Sequence, residues 1–332
     1  MNKKMTCLVT GANGHLGNNL VRALIKDNYQ VRASVRDLNN KKPFEGLNCE
    51  LVYADLLNKE SLKKAMKDVA IVFHVASVFK HWSNNPQKDI IEPNVIGTKN
   101  IMEAAAACNV DKVIVVSSIA TLDHTLVPMT ENTWNRSFPN AYYQSKQEAE
   151  QMAWAMAREL QVNLITVLPS SIIGGQVWSN LTPTMAFFDG ILNNVFPINP
   201  NFSFNYVDVT DVAAGIILAD KYGKIGERYI LATEPSITTY DVFSIAQELF
   251  PEVLIPPKLS KPELLELAKQ MERESMITKL APPLMVNTVM AYYGVDSRVN
   301  ISKARTELGY NPISPVEAIK NTLLYLKQKM DK

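Results

Sequence analysis

From Cys7 to Pro169, short apolar runs rich in β-branched residues alternate with longer stretches of mixed polarity. CLVT (7–10), QVRASVR (30–36), CELVYAD (49–55), AIVFHVA (70–76), KVIVVSS (112–118) and NLITVLP (163–169) read as strands. The segments near 15–27, 59–67, 88–108 and from Ala141 to Leu160 read as helices, the last because it is rich in Ala, Gln, Glu and Met and free of Gly and Pro. The runs are apolar at successive positions, not at alternate ones. Strands of that kind are buried on both faces, and helices between them imply a parallel sheet covered on both sides. Right-handed crossovers then give an α/β, doubly wound Rossmann fold.

The pattern changes after Pro169. Residues 175–204 scatter Trp178, Phe187, Phe188, Phe196, Phe202 and Phe204 among prolines and asparagines. FNYVDVTDVAAGIILAD (204–220) and ERYILA (227–232) predict a return to the sheet, and the chain from Ser236 onward is mainly helical. The expected organisation is a dinucleotide-binding domain over 1–174, rejoined by 205–233. A smaller, mainly helical C-terminal lobe over 175–204 and 234–332 binds substrate, and the cleft between the two is the expected ligand site.

Composition narrows the function. The 332 residues carry a formal net charge of +1, without the basic excess of a nucleic-acid binder. The apolar run after Lys3 and Lys4 is too short for a secretory leader, and no stretch approaches the length of a membrane span. Cys7, Cys49 and Cys108 lie far apart without metal spacing, so reduced thiols, a cytoplasmic setting and no metal are expected. The Ala-rich segment EAAAAC (103–108) suits either a homodimer contact or packing on the sheet.

Candidate chemistry begins between the first strand and helix, where TGANGHLGNNL places Gly11, Gly14 and Gly17. One glycine permits the sharp turn, one lets backbone approach a pyrophosphate, and one lets helix pack on strand. The helix N-terminus offers free N–H groups to phosphate. Asn13, His15 and Leu16 complete the loop and are expected to contact the cofactor, with His15 read chiefly as a packing residue at the helix entry. The second strand ends Ser34-Val35-Arg36-Asp37, with Lys41 and Lys42 beyond. An arginine there suits the 2′-phosphate of NADP, with Lys42 as a second cation. Asp37 keeps NAD open as the less favoured cofactor.

Two adjacent tyrosines, Tyr142 and Tyr143, lie four and three residues before Lys146. Both spacings make neighbours on a helix, so local geometry does not choose between them.

Together, TGxxGxxG (10–17), Asp55 at the end of the third strand, IEPNVIGTKNIMEAA (91–105), VVSSIAT (115–121) and YxxxK (142–146) resemble the extended short-chain dehydrogenase/reductase family over nearly the whole chain. YVDVTDVAAGIILA (206–219) and ISKARTELGYNPISPVEAI (301–319) match its later segments. VRASVRD and VFHVAS look most like its dihydroflavonol reductase, cinnamoyl-CoA reductase and aldehyde reductase branch. The resemblance implies that Tyr142 and Lys146 are the catalytic pair, both also contacting the cofactor, and Ser118 the catalytic serine, with Ser117 as the fallback and Thr121 a remote third. It implies that Asn94 supports a proton path and that Val75, Ala76 and Ser77 line the cofactor. Asp55 and Leu56 would contact adenine, and Pro169 and Ser171 would flank the nicotinamide. The chain departs from the family where Leu168, not arginine, precedes Pro169.

In these roles Ser118 hydrogen-bonds a carbonyl oxygen that gains negative charge, Tyr142 gives it a proton, and Lys146 lowers the phenol's pKa. The expected function is NADPH-dependent reduction of an apolar or aromatic aldehyde or ketone, a small-molecule substrate. Phe79, Trp82 and Phe204 are candidate substrate contacts, extended by Trp134 and Phe138. Nucleotide-sugar epimerases of this family commonly carry an arginine where this chain has Phe204, yet Arg298 keeps that alternative open. A hydroxysteroid dehydrogenase-like enzyme and a non-catalytic NADP sensor are further alternatives.

Overall fold

The structure is a computed structural model that describes residues 5–178 and 180–330; Lys3 and Lys4 lie outside the described residues. The strands are β1 Thr6–Thr10, β2 Gln30–Val35, β3 Cys49–Tyr53, β4 Ile71–His74, β5 Lys112–Val116, β6 Leu164–Pro169, β7 Ser171–Ile173, β8 Ser203–Phe204, β9 Tyr206–Asp208, β10 Arg228–Leu231 and β11 Ile237–Thr238. The helices are α1 His15–Lys26, α2 Lys59–Met66, α3 Glu92–Ala107, α4 Ala141–Leu160, α5 Pro183–Leu192, α6 Val209–Tyr222, α7 Thr239–Leu249, α8 Lys261–Thr278, α9 Val286–Tyr292 and α10 Pro315–Met330.

Seven strands form one parallel sheet in the order β10-β6-β5-β4-β1-β2-β3. The chain steps outward from β1 through β2 to β3, then crosses back to β4 on the other side. That reversal is the topological switch point at which Rossmann folds bind their ligands, beyond the carboxyl ends of the strands. Continuous apolar strands follow from burial on both faces. Cys7, Val9, Ile71, Phe73, Ile114 and Ile165 pack with α1 and α6 on one side. Leu8, Val72, Val113, Val115 and Leu164 pack with α2, α3 and α4 on the other. Ala104 and Ala105 of the Ala-rich segment are buried in that second core.

Two expectations are corrected in detail. Residues 206–208 do not join the main sheet: β9 pairs with β7 in a separate two-stranded sheet, and only β10 extends the seven strands. The helix expected from 88 begins as a π-turn over Gln87–Ile91 and becomes α-helical at Glu92, with Pro93 in its first turn, where a missing N–H costs little.

Two further cores lie outside the sheet. Phe188, Tyr206, Phe243, Leu323 and their neighbours join α5, α7 and α10. Phe202, Leu264, Val289 and Tyr292 join α8 and α9, with Tyr143 packed against them from α4. One cleft of about 1150 Å³ runs from the α1 N-terminus past α4 to these helices.

Candidate active site

The cleft floor is built by the end of β1. The Thr10 hydroxyl accepts from the backbone N–H groups of Val75 and Ala76 at 3.0 and 3.1 Å and lies 3.0 Å from His74 Nδ1. This ties the strand ends on either side of the switch point. Gly11 follows with φ +64°, and a Cβ there would lie 2.9 Å from Ala76 Cα. A Cβ on Gly17 would lie 2.1 Å from the Gly11 carbonyl oxygen. Turn and helix can therefore approach only as glycines. Gly14 caps α1 without a side-chain hydrogen bond, and the first turn holds no acid. Its N–H groups are thus left to an anion. The His15 ring is buried, bonds the Gly174 carbonyl at 2.7 Å and lines the cleft.

Arg36 lines the cleft, is exposed, and has no hydrogen bond or ion pair among the described residues. Asp37 does not line it; its carboxylate accepts from the Asn39 N–H at 2.9 Å. Lys42 is exposed outside the lining. Asn13, Leu16, Asp55, Leu56, Val75, Ala76, Ser77, Pro169 and Ser171 all line the cleft. Ser170, which sequence reasoning passed over, lines it too, with a buried hydroxyl that has no partner among the described residues. These features, an uncapped helix end, a free guanidinium and an orphaned buried hydroxyl, fit a bound dinucleotide.

At the centre, successive residues at the end of β5 engage successive turns of α4. The Val116 carbonyl accepts from Lys146 Nζ at 2.8 Å, the Ser117 hydroxyl donates to Glu150 at 2.6 Å, and the Ser118 hydroxyl hydrogen-bonds Tyr142. The Ser117 hydroxyl is therefore committed away from the cleft centre, and Ser118 faces Tyr142. The two tyrosines part company. Tyr142 meets the rings of Phe79 at 4.7 Å and His81 at 5.7 Å. The Tyr143 hydroxyl bonds that of Tyr292 on α9. His81 and Tyr292 carry no sequence motif and were missed.

Burial pushes the Tyr142 phenol above its ordinary range, while the Ser118 hydrogen bond pulls the other way. The expected lowering by Lys146 does not prevail. Desolvation is the larger effect, and the lysine ammonium is directed to the Val116 carbonyl. Burial also pulls Lys146 itself down to about 8, against the Glu150 carboxylate. Asn94 lines the cleft as a brace. Its amide donates to the Ser145 hydroxyl at 2.9 Å and the Val78 carbonyl at 3.1 Å, and its oxygen accepts from the Val78 N–H at 2.7 Å.

Of the candidate substrate contacts, Phe79 and Phe204 line the cleft, joined by Tyr143, Phe202 and Tyr292. Trp82, Trp134 and Phe138 do not line it. Trp134 lies under the Arg228 guanidinium at 3.9 Å, a cation–π contact that holds it away from the cleft. Arg298 is outside the lining as well, paired with Asp296 at 2.5 Å.

A model of the NAD dependent epimerase/dehydratase family matches residues 7–232. The chain belongs to this family, the extended short-chain dehydrogenase/reductases. As such it is an NAD(P)-dependent oxidoreductase. Curated relatives of this family member include cinnamoyl-CoA reductases and dihydroflavonol 4-reductases. Cinnamoyl-CoA reductase 1 of Petunia hybrida is 34% identical over 269 residues, 76% of this chain and 79% of the relative. Among solved structures, the yeast methylglyoxal/isovaleraldehyde reductase Gre2 with NADPH superposes with a TM-score of 0.78 at 22% identity, covering 98% of this chain and 99% of that one. UDP-glucose 4-epimerase of Thermotoga maritima gives 0.79 at 20%, covering 98% and 100%. The two likenesses are equal in kind, so fold alone does not separate reductase from epimerase. Among the described residues, no helix is long and apolar enough to cross a membrane, and no cluster could hold a metal.

Proposed function

We propose that the protein is an NADPH-dependent reductase of an uncharged apolar or aromatic aldehyde or ketone. One observation carries this reading. Among the described residues lining the cleft, the side chains of Arg36, Asp55 and Lys146 are the ordinarily charged ones. The first two lie at the ends of β2 and β3, where the adenosine half of a dinucleotide would be held, and Lys146 belongs to the chemical centre. Beyond Tyr142 the wall is Phe79, Tyr143, Ile198, Phe202, Phe204, Leu284 and Tyr292. A diphosphate would meet no guanidinium there, whereas a ring or alkyl chain would bury apolar surface at roughly 25 cal/mol per Å².

The Gly11–Gly17 turn and the α1 N-terminus would hold the pyrophosphate, Asp55 and Leu56 the adenine, and Arg36 the 2′-phosphate. When bound, the reduced nicotinamide supplies hydride. Ser118 and Tyr142 receive the substrate's carbonyl oxygen by hydrogen bonds, and Tyr142 passes its proton to that oxygen as negative charge develops. Burial keeps the Tyr142 phenol in the protonated form that the reductive direction requires. Lys146 carries the positive charge of the chemical centre, held by the Val116 carbonyl, and Asn94 ties the Val78 backbone to Ser145 of α4.

The test is NADPH oxidation, followed by absorbance, over a panel of neutral aldehydes, ketones and coenzyme A thioesters, with UDP-sugars incubated alongside and their products separated by chromatography, because an epimerase or dehydratase regenerates its dinucleotide. Turnover of neutral carbonyls is expected. Conversion of UDP-sugars to new products, with no NADPH oxidised by any neutral carbonyl, would overturn the reading in favour of an epimerase or dehydratase.

A further inference from the structure

The chemical face of α4 does not end at Lys146. One turn on, Glu150 is 1% exposed and its carboxylate is fully engaged. It accepts from Arg228 Nε at 2.8 Å and Nη2 at 3.2 Å, from the Thr166 hydroxyl at 2.8 Å, from Trp154 Nε1 at 3.3 Å and from the Ser117 hydroxyl at 2.6 Å. Arg228 reaches it from β10, the sheet edge, and is pinned by the Glu131 and Thr133 carbonyls at 2.6 and 2.9 Å and the Thr121 hydroxyl at 2.7 Å. A chamber of about 10 Å³, room for one water, is lined by both Lys146 and Glu150, together with His74, Asn94, Thr98 and Ser117. Lys146 Nζ makes one hydrogen bond among the described residues, to the Val116 carbonyl. Its remaining N–H groups are thus left to the chamber and the cleft.

We propose that Glu150 is a positioning residue for the reaction, the buried countercharge that keeps Lys146 protonated and, through Ser117, holds the Ser118 edge of β5 against Tyr142. The inference rests on the roles given to Tyr142 and Lys146 above. A purely structural ion pair could have been placed anywhere in the sheet. This one lies on the catalytic face of α4 at a spacing of Tyr142, Lys146, Glu150, each four residues apart, and each pairs with one residue of the same strand end.

The other groups that could set the lysine's charge are few. From β4 comes His74, which burial holds well below the usual imidazole range and hence neutral. From β10 comes Arg228, whose charge offsets part of the carboxylate's. From α3 come Asn94 and Thr98, which are uncharged, and from α4 itself comes Tyr142, protonated at neutral pH. Glu150 is therefore the carboxylate among them. A carboxylate favours the ammonium form, so its loss lets Lys146 shed its proton at lower pH.

The experiment is the pH profile of kcat for carbonyl reduction. The wild type should lose activity on the alkaline side as Lys146 titrates near 8. Glu150→Gln should move that limb down by about one pH unit, a typical effect of losing a nearby opposite charge that is partly offset. Its turnover near pH 6 and its NADPH affinity should stay within a few-fold of wild type. Glu150→Asp should return the limb toward its original place. If Glu150→Gln does not fold, Arg228→Gln supplies the opposite sign, because the unopposed carboxylate should move the limb up. Lys146→Arg separates the two levels of the argument, since a guanidinium does not titrate in this range. A limb that persists in Lys146→Arg defeats the role given to Lys146. A limb abolished there but unmoved in folded Glu150→Gln, with turnover lowered equally at every pH, overturns the present inference.

Discussion

Arg36→Ala isolates the choice between the two dinucleotides. In the structure this guanidinium lines the cleft at the end of β2 with no partner among the described residues, so none of them competes for it. The neighbouring acid, Asp37, is turned to the Asn39 N–H and does not line the cleft. A charge-assisted hydrogen bond contributes roughly 1.5–3 kcal/mol. Arg36 is exposed, and water and salt screen it, so the lower end of that range applies. A loss of about 1.4 kcal/mol is tenfold in Kd. Arg36→Ala should therefore weaken NADPH about tenfold and leave NADH within about twofold. The difference should shrink as ionic strength rises. The assay is a fluorescence titration of each reduced dinucleotide at low and high salt, with Lys42→Ala as a companion expected to change little. Equal losses for NADPH and NADH, or a larger effect from Lys42 than from Arg36, would refute the assignment.

Tyr142→Phe should leave NADPH titration unchanged while turnover falls by roughly 10²- to 10⁴-fold; near-normal turnover would remove the phenol from the chemistry, and Tyr143→Phe provides the contrast. Gly17→Ala should cost about 2 kcal/mol or more, because the new methyl would lie 2.1 Å from the Gly11 carbonyl oxygen. A thermal melt unchanged from wild type, with NADPH affinity retained, would show that the turn can yield.

What could be read in advance was what local order records. The run from Thr10 to Gly17 predicted its own turn because three glycines at fixed spacing have few other uses between a strand and a helix. The sheet was legible because strands buried on both faces cannot alternate in polarity. Tyr142 was separable from Tyr143 only by family resemblance, since helix geometry makes both neighbours of Lys146. In the structure the difference comes from elsewhere: Tyr292, 149 residues away, takes the second hydroxyl. The Glu150–Arg228 pair is likewise a contact across 78 residues that no period in the sequence encodes. Trp82, Trp134 and Phe138 were expected at the cleft because their loops follow the fourth and fifth strands. Side-chain direction within a loop is set by tertiary partners, as the Arg228 guanidinium over Trp134 shows. The apolar residues of β9 suit any buried strand, and composition does not name the partner, which is β7 and not the main sheet.

The position of Arg228 at the sheet edge bears on how the enzyme is made. During synthesis the segment carrying Ser118, Tyr142 and Lys146 leaves the ribosome well before the strand that brings the guanidinium to Glu150. Until that strand docks, the carboxylate of Glu150 lacks the guanidinium that engages both its oxygens in the folded protein. Completion of the sheet edge thus supplies the last charged partner of a buried carboxylate on α4.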